Sequence, residues 1–174
     1  SIIQENGKTG NVVMEALVTA LQIELEMSNI TGYFGSQTTS AYNQNIVKYG
    51  DSDSYNNIIR ILQHALYCKG YNPTAVTGYF GDNTLNAVKK VQKDAGYSDD
   101  MIGESLTAKV FKQILSCDAL VCVSDGDEKI RKIQQTLNHD YGEMFDIIPC
   151  DGRYNSKMAK ALIYTFQKEG GLGI

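Results

Sequence analysis

Apolar residues recur along this chain at three- and four-residue intervals, the period of a helix with one buried face. Ile58, Leu62, Ala65 and Leu66 fall on one such face, and Ile130, Ile133, Gln134 and Leu137 on another. Read along its length, the pattern predicts seven helices, over 11–27, 36–48, 55–69, 82–95, 104–116, 126–140 and 156–169. Ser36, Asp82 and Ser156 stand where an N-cap side chain would bond a first-turn N–H. Asp125 with Glu128 has the spacing of a capping box. The segments 51–54 and 116–127 read as linkers or caps, and an EF-hand starting at Asp51 fails because its last ligand position would be Leu62. The expected class is all-α.

The pattern also repeats. Thr31-Gly32-Tyr33-Phe34-Gly35 recurs as Thr77-Gly78-Tyr79-Phe80-Gly81, with Thr38 and Thr84, then Ala41 and Ala87, at matching distances. An outer pair matches without gaps: Gly7, Ala16 and Gln22 against Gly152, Ala161 and Gln167, each 145 residues apart. The apolar stripes carry a Gln at their edge (Gln63 and Gln134), which suits a side chain that bonds loop backbone. Repeats of this kind mark chains built of small supersecondary units. In the loops, the first glycine permits a positive φ or a close backbone approach. One aromatic of each Tyr-Phe pair goes to the core and the other can face outward. Lys8 and Arg153 take the first aromatic's place in the outer copies, which marks that position as the solvent-facing one.

Composition refines this picture. The chain has 174 residues with a net charge of −4, which speaks against a nucleic-acid binder and gives no reason to expect an anionic membrane. The 16 glycines and 11 tyrosines are largely repeat punctuation. There are only 2 prolines and no apolar run long enough to span a membrane. Residues 1–6 have neither a basic nor a long apolar region and do not read as a signal peptide. Cys68, Cys117, Cys122 and Cys150 read first as small buried hydrophobes. Three disulfide connectivities stay open, and His64 with Cys68 has the i,i+4 spacing of a zinc pair, although no second pair accompanies it.

The order Leu62-Gln63, Leu66, Gly70-Tyr71, Thr77-Gly78-Tyr79-Phe80-Gly81, Thr84, Ala87-Val88, Val91-Gln92, Gly96 and Leu106-Thr107 resembles the peptidoglycan-binding-like three-helix domain. That family usually has Asp before the loop glycine. Here Thr31 and Thr77 stand there, with Asn6 and Asp151 in the outer copies. The segments Ile148–Tyr154 with Lys160–Tyr164, and Glu5–Gly10 with Ala20–Leu25, resemble repeats that precede a glycoside-hydrolase-like barrel in some Gram-positive cell-wall and phage-type hydrolases. The resemblance implies tandem three-helix modules with Gly-aromatic loops. It divides the chain into an incomplete module at 1–50 (second and third helices), a complete one at 52–116, and an incomplete one at 124–174 (first and second helices). Each incomplete module leaves an apolar face uncovered. The ends are expected to compensate by packing on each other or by pairing between chains.

The resemblance also implies a noncatalytic, secreted or wall-associated binding region of a larger cell-wall hydrolase. Its partner would be peptidoglycan or another wall polymer, with no cofactor, metal, nucleic acid or membrane. Outward aromatics suit sugar or peptide faces, and the candidates are Tyr33, Tyr71, Tyr79, Arg153 and Tyr154. No H-E-x-x-H, G-x-S-x-G or Walker A motif occurs. The acids at 51, 53, 99, 100, 125, 127 and 128 fall at predicted helix starts and linkers, where capping accounts for them. The alternatives are a structural module whose repeats mediate oligomerisation, and an enzyme with a site between modules.

Overall fold

The computed structural model describes residues 11–99, 102–116 and 126–171. Among the described residues seven helices carry the fold: α1 (Asn11–Glu24), α2 (Ser36–Asn43), α3 (Ile58–Cys68), α4 (Asp82–Asp94), α5 (Ala108–Ile114), α6 (Glu128–Asp140) and α7 (Ser156–Glu169). The described residues form no named strand. Two isolated bridges, Lys48 with Ser105 and Ser52 with Tyr79, pair short extended segments. The all-α expectation holds.

α3 lies at the centre because its sequence is apolar on two sides. Ile58, Ile59, Ile61, Leu62, Ala65 and Leu66 are all buried. It packs against α1, α4 and α5. From α1 come Val18 and Leu21, which share one core with Phe34, Tyr42, Phe80, Val88 and Phe111. Phe111 meets Tyr42 and Phe34 edge-on, at centroid distances of 5.0 and 6.1 Å. A second, smaller cluster (Leu137, Ile148, Met158, Ala161) joins α6 to α7. Asn138 ties this pair to the main body: its buried amide donates to the Ala95 and Ile148 carbonyls at 3.0 and 2.9 Å and accepts from the Ile148 N–H at 2.8 Å.

α2 and α5 fall furthest short of their pattern. α2 stops at Asn43 and α5 starts at Ala108 because residues 47–49 pair with 104–106. The Leu106 N–H donates to Val47 O at 2.9 Å and the Tyr49 N–H to Glu104 O at 3.0 Å. Helix propensity yields here to a backbone pairing that also buries Leu106. The Tyr42 hydroxyl donates to Leu106 O at 2.9 Å and closes the same junction.

The caps are also placed differently. Ser36, Asp82 and Ser156 are first helical residues, and the N-caps are Gly35, Gly81 and Asn155. Asn155 bonds the N–H groups of Lys157 and Met158. Asp127 caps α6, while Asp125 lies outside the described residues. Asp53 reaches α3 from five residues ahead of it, its two carboxylate oxygens accepting from the Ile59 and Arg60 N–H groups at 2.9 Å each. Of the expected stripe on α6, Gln134 and Leu137 are buried and Ile130 packs against the smaller cluster, whereas Ile133 is exposed and Asn138 is buried in addition.

Candidate functional site

Three loops are gripped in the same way by a glutamine from the helix before them. The Gln63 side-chain oxygen accepts from the N–H groups of Thr77 and Gly78 at 2.9 and 3.0 Å. Its amide donates to Tyr79 O and Thr84 Oγ1 at 3.0 Å each. Gln22 repeats this: Thr31 and Gly32 N–H at 2.8 and 2.9 Å, Tyr33 O at 3.0 Å and Thr38 Oγ1 at 2.9 Å. Gln134 takes the Gly152 N–H at 2.9 Å and donates to Arg153 O and Asp151 Oδ1 at 2.9 Å each. Gln22, Gln63 and Gln134 are all buried. In water-free surroundings each bond left unmade would be costly, so one side chain fixes the course of a whole loop.

α1 carries the gripping Gln22, as α3 carries Gln63 and α6 carries Gln134. The sequence match pairs Gln22 with Gln167, whereas in the fold Gln22 stands to its loop as Gln63 stands to the next. α1 packs its apolar face against α3. Gly7, which anchors the 145-residue match, lies outside the described residues.

The loop glycines Gly32, Gly78 and Gly152 have φ of +68°, +72° and +70°. A side chain there would be strained, and at Gly78 it would also come within 2.5 Å of the Arg60 guanidinium. The second glycine has another task. A Cβ at Gly81 would lie 2.7 Å from the Tyr79 ring, and one at Gly35 would lie 3.2 Å from the Tyr33 ring. Each tyrosine therefore lies over a bare glycine. Phe34 and Phe80 turn inward, at 4% and 0% exposure, while Tyr33 and Tyr79 turn outward, at 68% and 48%.

The other candidates divide. Arg153 is exposed, and so is Tyr154, at 65%. The third loop thus presents both residues of its pair. Tyr71 is not at the surface: it is 3% exposed, its hydroxyl donates to Asp94 Oδ2 at 2.8 Å, and Lys90 sits 5.2 Å over its ring. It holds the α3–α4 connection, and the Gly-Tyr pairing that suggested it instead reflects a helix ending, where the Tyr71 N–H bonds Leu66 O.

Tyr49 is a surface aromatic that the repeat does not reveal. Its hydroxyl donates to Asp82 Oδ1 at 2.9 Å. That bond raises the phenol above its ordinary value, with Tyr79 and Glu104 adding to the local field. Its signal is the chain pairing of 47–49 with 104–106, which no local spacing carries.

Among the described residues no group of three or more His, Cys, Asp or Glu side chains could hold a metal ion. His64 is exposed and Cys68 half-buried, both on α3. Cys68 and Cys150 are thiols. Burial pushes the Cys150 thiol up to about 12. Cys117 and Cys122 lie outside the described residues.

A helical chain whose glutamines grip Gly-aromatic loops is matched by known domains. Residues 55–109 match the family described as a putative peptidoglycan binding domain, and residues 123–174 match the FadG/YbfG, PGDB-like domain. Two stretches of the chain thus match peptidoglycan-binding-like helical domains, and this match supports a cell-wall binding role. Two Bacillus subtilis (strain 168) proteins are similar over 98% of the chain. "Uncharacterized protein FadG" is 41% identical over 174 residues, and "Uncharacterized protein YbfG" is 43% identical over 171. The chain spans 30% of the first and 23% of the second. No solved structure matches the chain. No helix among the described residues is long and apolar enough to cross a membrane.

Proposed function

We propose that this chain is a noncatalytic region that binds peptidoglycan through its Gly-aromatic loops, in a protein that acts on or at the cell wall. The observation that carries this reading is the paired disposition of Tyr33 on Gly35 and Tyr79 on Gly81. A ring laid on a glycine exposes its far face and loses little freedom on binding, which is what stacking against a sugar face requires. Arg153 and Tyr154 extend the surface in the third loop. Tyr49 and Asp82 add a hydroxyl and a carboxylate beside Tyr79, able to bond sugar hydroxyls. Attachment to a hydrolase and a secreted location belong to the same proposal.

The test is co-sedimentation of the chain with purified insoluble peptidoglycan at moderate salt. Saturable retention is expected. A chain that stays in the supernatant contradicts the reading.

A second reading, assembly through the repeats, is favoured by the exposure of Ile163 and Phe166 on α7, at 56% and 69%. Neighbouring exposed apolar side chains mark interaction surfaces. Light scattering after size exclusion decides it: a monomer across a wide concentration range excludes it.

A further inference from the structure

We infer that the cleft between α5, the loop joining α6 to α7, and α7 is a binding site for the phosphodiester groups of a polyol-phosphate chain, distinct from the tyrosine loops. Its volume is about 690 Å³. Lys109 and Lys112 of α5 line one wall, and Lys157 and Lys160 of α7 line another. Each pair has i,i+3 spacing, which sets two ammonium groups on one helix face. The carboxylates in the lining are Glu143 and Asp146, so cations exceed anions here although the chain as a whole carries −4.

The cleft's cations are built into it. Lys112 is held by Asp146 at 2.7 Å. Lys160 sits 5.6 Å from the Tyr164 ring centroid. Lys109 is half-buried, and burial lowers its pKa while Glu143 and Asp146 oppose that shift. A partly desolvated cation is the kind that gains most from an incoming anion, because local fields are stronger where water is excluded.

The type of charge narrows the ligand. No arginine is among the described residues that line the cleft, so the planar fork that reads a carboxylate side-on is missing from them. Ammonium groups act as point charges and suit phosphate oxygens approached from several directions. Beside the lysines, Phe145, Ile147 and Ala161 supply apolar lining. Cations and apolar side chains in one cleft fit a chain of phosphates joined by short carbon linkers. A compact anion would use only the charge.

The experiment tracks amide NMR shifts of the chain on titration with a synthetic glycerol-phosphate oligomer. A glutamate oligomer of equal charge and a single-stranded oligonucleotide serve as comparisons. Saturable shifts confined to 109–112, 143–148 and 157–164 are expected, weakening with salt, with affinity at least tenfold lower in Lys109→Gln and Lys160→Gln. Thermal melts check both variants. If Lys109→Gln is unstable, the exposed Lys160→Gln carries the test. Shifts scattered over the surface, unchanged affinity in Lys160→Gln, or tighter binding of either comparison polymer would overturn the assignment. The titration contains no peptidoglycan, so it succeeds or fails independently of the tyrosine loops.

Discussion

The backbone N–H of Gly78 donates to the side-chain oxygen of Gln63 at 3.0 Å, fifteen residues away. That bond, with four others from the same buried amide, lets one helix dictate the path of the loop that starts the next. Replacing Gln63 by Leu roughly keeps the volume but strands the Thr77 and Gly78 N–H groups and takes from the Tyr79 carbonyl its 3.0 Å donor. The expected loss is about 3 kcal/mol, from one to three per unmet buried group with partial access to water. Denaturant unfolding measures it. A loss below about 1 kcal/mol would mean that the loop holds itself.

Gly81→Ala separates loop stability from ring presentation. Gly81 lacks the positive φ of Gly78, so alanine is not strained there. Its Cβ would meet the exposed Tyr79 ring at 2.7 Å, and the ring must swing away. Stability should change by under about 1 kcal/mol, as surface substitutions usually do. Retention on insoluble peptidoglycan should fall. Unchanged retention would separate Tyr79 from binding.

Tyr71→Phe should do the reverse. It removes the hydrogen bond to Asp94 and leaves the ring in place, so stability should drop by about 1 kcal/mol while wall retention stays at the wild-type level. Reduced retention in a folded variant would return Tyr71 to the binding surface.

These contrasts show how much of the fold is legible in the chain. The helical period locates the seven helices of the described residues, and the Thr-Gly-Tyr-Phe-Gly repeat locates two of their three gripped loops and the inward–outward split of their aromatics. Gln63 and Gln134 are readable as loop-bonding residues. Gln22 makes the same kind of bond to its own loop, which the sequence does not reveal because gapless similarity to Gln167 outweighs its spacing to Gly32. Tyr71 looks like Tyr79, since both come directly after a glycine. The difference is that the end of α3 buries Tyr71 in the core, and that depends on the packing around it rather than on the dipeptide. Tyr49, Asn138 and the lysine cleft arise from contacts between distant segments, and no local pattern encodes those.

Base should weaken the fold through Cys150. Its folded thiol stands near 12, above the ordinary thiol value of 9.0, so the folded chain holds a proton that the unfolded chain releases. Stability is therefore full below pH 9 and is lost as pH rises from 9 toward 12, by up to about 1.4 kcal/mol per pH unit. The buried phenol of Tyr42, also raised by burial, adds to the loss at the upper end. Melting curves from about pH 8 to about pH 11 should show a shallower decline in Cys150→Ala than in wild type. Parallel declines would assign the pH dependence to other groups.

The most direct measurement is a binding isotherm of the wild-type chain and of Tyr33→Ala/Tyr79→Ala on insoluble peptidoglycan, with melting temperatures recorded alongside. Both tyrosines are exposed, so the double variant should melt within a few degrees of wild type and lose at least tenfold in affinity. Equal affinity in an equally stable double variant would contradict the claim that these two rings form the binding surface.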